Sequence, residues 1–141
     1  MPDASRAAAL SATIERLARM PHIGDYGVEA AKAVMSFRLV ALCAQARHDP
    51  VVELTRRFDS VTTATAMLAF LDACGLCWPD KLRVQRPCRR MLGPDETVVA
   101  GMAKAAISAD RAAFDAVLDG FVRAERSERL FDAAVTAMAE V

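Results

Sequence analysis

Along most of the chain the apolar residues recur three and four positions apart, the period of one helix face, and alanine fills many places between them. This pattern predicts an all-α fold. Leu10, Ile14 and Leu17 form the first stripe, with Asp3 or Ser5 as N-cap and Pro21 setting the end. A loop holding Gly24 and Gly27 follows. Over residues 28–48, Val34, Met35, Phe37, Leu39, Val40, Leu42 and Cys43 cover more than one face, as expected of a central helix packed on several sides. Asp49-Pro50 reads as an N-cap followed by proline at the first helical position, opening a short helix to about Phe58 that Asp59-Ser60 breaks. The next helix, over 61–74, carries Met67, Leu68, Phe70 and Leu71, and Gly75 stands where a left-handed cap would stop it.

The character changes at about residues 76–93. Pro79, Pro87 and the following Pro94, Gly75 and Gly93, the only tryptophan (Trp78) and an alternation around Leu82 and Val84 predict an irregular loop or a short β-ribbon. Pro94, Asp95 and Glu96 suit the first turn of a helix continued by Val98, Val99, Met102 and Ile107. Ser108 is expected to cap the next helix, where Phe114, Val117, Leu118, Phe121 and Val122 make the cleanest amphipathic stripe of the chain. Ser127 is expected to cap the last, through Leu130, Phe131, Ala134, Val135 and Met138. The whole reads as a single-domain bundle of six or seven helices over residues 1–141, without internal repeats.

Composition narrows the classes. With 141 residues and 54% hydrophobic content the chain suits one domain with a real core, and wholesale disorder is not expected. Residues 1–20 hold no dense apolar run and reach Glu15, Arg16 and Arg19 directly, so no signal peptide is read. The longest apolar stretch, 28–46, is broken by Glu29, Lys32, Arg38 and Gln45 and does not read as a membrane span. Four cysteines in a chain with ample core suggest reduced thiols and a cytoplasmic location rather than a disulfide framework.

Eighteen basic and eighteen acidic side chains give zero net charge, which excludes a uniformly basic nucleic-acid wrapper. The charge is nevertheless uneven: residues 38–90 hold nine Lys/Arg against five Asp/Glu, and residues 91–141 hold five against nine. Lys81, Arg83, Arg86, Arg89 and Arg90 form the densest basic segment. Either they pair with the acidic C-terminal helices, within the chain or across a dimer, or they grip phosphates while Trp78 stacks on a base. The order helix, turn, helix, basic ribbon over residues 50–90 looks like a winged helix-turn-helix regulator, whose nucleic-acid contacts would be Arg56, Arg57, Thr62, Thr63 and the five cations of 81–90. Against that reading, the second helix offers threonines rather than Arg, Lys, Asn or Gln for base edges.

Cys74, Cys77 and Cys88 have the spacing C-x2-C-x10-C, and a zinc ion would need a fourth ligand such as His48, Cys43 or His22. The alternative is that they are small core residues. His22 suits an inter-helix turn, and His48 suits a cap at a helix C-terminus. Asp110, Asp115, Asp119, Glu125, Glu128 and Asp132 lie mainly opposite the apolar stripes, as a solvated face does. No nucleophile elbow, Walker loop or dinucleotide fingerprint is present, so a non-enzymatic role is expected. Met20, Met35, Met67, Met91, Met102 and Met138 read as core filler or as an adaptable partner groove.

The stretch Val84-Gln85-Arg86-Pro87-Cys88-Arg89-Arg90-Met91, with Pro94-Asp95-Glu96 opening a helix, resembles a family of small helical alphaproteobacterial proteins with a proline-flanked, cysteine-containing Arg-Met turn, over about residues 55–107. The resemblance implies a bacterial, cytoplasmic origin and no activity. The family has several cysteines there, and this chain has Cys88 alone. Taken together, the sequence points first to a regulatory or interaction domain working through protein contacts, with itself or another protein, without cofactor. A DNA-binding regulator and a structural zinc protein are the alternatives.

Overall fold

The computed structural model describes residues 3–18 and 20–141, which form seven α-helices and one short 3-10 turn. Helix α1 spans Ala4–Ala18, α2 Val28–Ala46, α3 Pro50–Phe58, α4 Val61–Cys77, α5 Pro94–Ile107, α6 Arg111–Val117 and α7 Ala124–Glu140. No strand forms among the described residues, so of the two forms expected of residues 76–93 it is the irregular loop that follows the end of α4. Only an isolated antiparallel bridge links His22 to Met91.

The main packing joins α4 to α7 and α2 to α5, with α3 on α4 and both α6 and α7 on α5. Thr63, near the start of α4, donates its hydroxyl hydrogen bond to the carbonyl of Glu140, and Cys77 at its other end approaches the Arg126 carbonyl, so α4 and α7 run antiparallel. One core runs through α2, α4, α5, α6 and α7, closed by edge-to-face pairs: Phe37 on Phe70 (5.3 Å between ring centroids), Trp78 on Phe121 (4.9 Å) and Phe114 on Phe131 (5.0 Å). Met67, Met102 and Met138 are buried there as filler, while Met20 and Met91 are exposed.

Several caps follow the sequence directly. The Asp3 carboxylate accepts from the N–H of Ser5, Asp49 accepts from Val51 with Pro50 at the first helical position, and Ser60 accepts from Thr63. Gly27 separates the 3-10 turn Ile23–Tyr26 from α2 at φ 97°, ψ 167°, a conformation essentially restricted to glycine.

Four expectations need correction. Helix α4 runs through Gly75 to Cys77, because Pro79, not the glycine, stops it: Trp78 takes the extended conformation (ψ 138°) that a residue before proline prefers. Helix α6 is capped by Asp110, which accepts from Ala113; Ser108 instead ends α5. Helix α6 ends at Val117, with Leu118 as its C-cap and Gly120 (φ 72°) in the turn that follows, so Phe121 and Val122 reach the core from a turn. Ser127 lies inside α7, its hydroxyl donating to the Ala124 carbonyl and accepting from Arg111.

Helix α1 stands apart. Among the described residues it makes no extensive contact with another helix, and Leu10 and Ile14 are 61% and 57% exposed. Leu17, the third member of its stripe, lies outside the residues whose side chains are described.

Candidate functional site

The segment between α4 and α5 has no regular structure, yet it is held at many points. At its centre is Arg38, which the sequence reading treats merely as an interruption of an apolar stretch. Its side chain is fully buried and pairs with Glu96, also buried, in a two-pronged contact: Nε to Oε2 at 2.6 Å and Nη2 to Oε1 at 3.0 Å. Two of the three remaining guanidinium hydrogens reach the loop backbone, with Nη1 donating to the Arg89 carbonyl at 2.6 Å and Nη2 to the Met91 carbonyl at 3.0 Å, and Nη1 also lies 3.9 Å from the Met35 sulfur. Glu96 also accepts from the N–H groups of Gly93 (2.9 Å) and Gln85 (3.2 Å). A buried ion pair is tolerated only when such additional bonds satisfy both partners. A lysine could not replace Arg38, since one ammonium lacks the planar fork that serves a carboxylate and two carbonyls together.

Further bonds complete the anchorage. The Arg83 N–H donates to Asp95, Leu92 to the Pro21 carbonyl and Ile23 to the Arg90 carbonyl, while Arg89 N–H to Arg86 carbonyl closes a turn over Pro87-Cys88. Leu82 and Val84 face the core and Lys81 and Arg83 face solvent, so the alternation seen in the sequence is real although no strand pairs with it.

This anchored loop displays Lys81, Arg83, Arg86, Arg89 and Arg90. All five are exposed, and among the described residues none lies within ion-pair distance of a carboxylate. The expected pairing with the acidic C-terminal helices within the chain is therefore corrected. Asp110, Asp119, Glu125, Glu128 and Asp132 are exposed and also unpaired, while Asp115 pairs with Arg111 at 3.0 Å on the surface.

The other expected site residues are dispersed. Arg56 and Arg57 are exposed on α3, Arg56 in a surface pair with Glu53 at 3.4 Å. Thr63 is buried and spends its hydroxyl on Glu140, leaving Thr62 exposed beside it. Helix α4 carries no lysine or arginine, and the wing is missing. Trp78 cannot stack on a base, being 7% exposed against Phe121. Its Nε1–H has no partner.

The cysteines are not gathered into a metal site. Cys74 is buried in α4, Cys77 half-buried one turn on, and Cys88 and His48 are exposed, and no group of three His, Cys, Asp or Glu able to hold a metal occurs among the described residues. Burial pushes the Cys74 thiol well above its ordinary value, with nearby Cys77 adding to the effect. Such a thiol is a poor nucleophile. The Cys43 thiol is raised by desolvation, then by Glu53 and Asp49. His48 donates its backbone N–H, rather than a side-chain cap, to the Cys43 carbonyl. The imidazole Nδ1 of His22 accepts from Gly24 and so caps the 3-10 turn, in the inter-helix position expected of it.

A cleft of about 410 Å³ lies between the C-terminal end of α4 and the start of α7 and is lined by Ala73, Leu76, Cys77, Glu125, Arg126 and Arg129. No described helix is long and apolar enough to cross a membrane. What sequence reasoning missed is Arg38 with Glu96, although both positions carried a signal: Arg38 shares its helix with buried Val34 and Phe37, and Glu96 sits three residues after the cap Gly93. No protein-family model matches the chain, and neither a curated protein nor a solved structure matches it.

Proposed function

We propose that the protein is a non-enzymatic interaction domain that self-associates, the basic loop of one copy meeting the acidic surface of α6 and α7 of another. The supporting observation is that both charged surfaces are left unneutralised by their own chain while the loop is held rigid by Arg38 and Glu96. A rigid loop presents its cations without a large ordering cost, and complementary surfaces of this kind chiefly govern encounter and register. Cytoplasmic residence accords with the free cysteines, and the Arg-Met turn resemblance suggests a bacterial source. Sedimentation velocity at about 0.01 M and about 1 M salt, where the Debye length falls from ~30 Å to ~3 Å, tests the reading. Association at low salt should be lost at high salt and in Arg86→Glu with Arg89→Glu, and regained when Glu128→Arg with Asp132→Arg is mixed in. A chain monomeric at low salt overturns it.

The same five unpaired cations favour a second reading, sequence-independent contact with nucleic-acid phosphates. Duplex binding that weakens steeply with salt, and less steeply after Arg83→Ala with Arg86→Ala, would support it; no binding at low salt disposes of it.

A further inference from the structure

We infer that a second cleft, at the start of α7, binds a small organic carboxylate, its oxygens held by Arg123 and Arg126 and its apolar body laid against Pro79, Phe121 and Val122. The inference does not rest on the self-association reading. The cleft, of about 320 Å³, falls within the ~300–1,000 Å³ usual for small-molecule sites. Buried Trp78, half-buried Phe121 and Val122 and exposed Pro79 make its apolar wall, and Arg123 and Arg126 are the charged side chains that line it. Three observations make it a place of donors without an acceptor. The first is the arginine pair: both are exposed, and among the described residues neither lies within ion-pair distance of a carboxylate. Arg126 donates from Nη1 to the Leu76 carbonyl at 3.2 Å, which steadies it across the gap between α4 and α7 and leaves its other N–H groups for a ligand. The second is the helix end. No side chain caps α7, whose N-cap is Arg123, and the first N–H groups of a helix have no partner within it. The positive end of the helix dipole thus lies beside two like charges, an arrangement that an anion would relieve. The third is Trp78, a wall residue 7% exposed, whose Nε1–H meets no acceptor.

These donors select an anion, and the wall selects an apolar body beside it. The acids nearby leave that selection in place. Glu125 lines the adjoining cleft with Arg129, and since the two clefts share Cys77 and Arg126, together they hold three arginines against one acid. Asp80, next to Pro79 in the sequence, is exposed and does not line the cleft. A carboxylate matches the planar fork of a guanidinium. A doubly charged phosphate would set more charge against an aromatic wall with Glu125 close by, at a larger desolvation cost.

Trp78 is the only tryptophan of the chain, so its emission and its single indole N–H resonance both report on the cleft. The full chain is titrated with octanoate, with octanol as an uncharged comparator and inorganic phosphate as an anion without an apolar body. Octanoate is expected to change the emission saturably and to shift the indole N–H resonance, with octanol and phosphate each much weaker. Arg123→Gln with Arg126→Gln should weaken octanoate by about tenfold or more, and Arg123→Lys with Arg126→Lys, which keeps the charge but loses the fork, should fall between. Arg86→Gln with Arg89→Gln, on the basic loop, should bind as the parent does. Octanol as strong as octanoate overturns the inference, and so does phosphate as strong as octanoate. An unmoved indole N–H resonance, or a glutamine pair that binds like the parent, also overturns it. None of these outcomes bears on whether the chain self-associates, which the salt series decides by itself.

Discussion

Residues 79–93 have almost no backbone bonding of their own, yet they are tied to α2, α5 and the chain around Pro21 by side chains and by single backbone contacts. Helix α1 is the opposite: it is regular over Ala4–Ala18, yet its described side chains are exposed and it has no extensive packing on another helix among the described residues. Regular backbone geometry and anchorage are thus separate properties here. The helical turns of α1 are local, but burial is what holds a helix in place, and the described side chains of α1 lack it. The loop lacks a ladder and is held because a buried charge requires its carbonyls.

The contrast breaks most sharply at Glu96. Glu96→Ala strands the Arg38 guanidinium in the core and should cost about 3–5 kcal/mol, read from the guanidinium chloride midpoint. The same variant should speed tryptic cleavage after the arginines of 81–90, while Arg38→Met with Glu96→Leu, which leaves no lone charge, should lose much less. Gly27→Ala comes next, at about 1–3 kcal/mol, because alanine must adopt φ 97° or shift the 3-10 turn off α2. Thiols then sharpen the comparison between surface and core. Cys88 on the loop should label rapidly with iodoacetamide and Cys74 only on unfolding. Since the fold keeps Cys74 protonated above its ordinary 9.0, its contribution to stability should be constant below that pH and fall above it, as the unfolded chain ionises the thiol and the folded one does not, and Cys74→Ala should remove that part of the alkaline loss in a pH series of denaturant midpoints. The smallest effect is expected in α1, where Leu10→Asp with Ile14→Asp should move the monomer's midpoint by no more than about 0.5 kcal/mol.

Much of the helix order was legible because its signals are local. Asp49-Pro50 and Pro94 mark helix starts through one residue's own backbone and side chain, and the structure uses both; Asp59-Ser60, read as a break, proves also to supply the cap of α4 through Ser60. Gly75 misled for the same reason: glycine permits a stop without compelling one, and Pro79 does compel it. The regular stripe through Phe121 and Val122 told correctly which residues turn inward, but not that a turn delivers the last two. The candidate site was half visible. Five cations in ten residues are plain in the sequence, whereas their freedom from carboxylates is a matter of three-dimensional placement. Arg38 and Glu96 could be named only as an interruption and a capping acid, since nothing local tells that they meet.

Their separation has a consequence for how the chain reaches its final form. The two partners are 58 residues apart, so the contact closes only after α2 and α5 have come together across everything between them. Until then the Arg89 and Met91 carbonyls have no donor from Arg38, and the segment before Pro94 has little to hold its shape. The arginine loop is therefore expected to order late in assembly, and a chain that has packed its helices without this pair would carry the same five cations on a less firmly held segment.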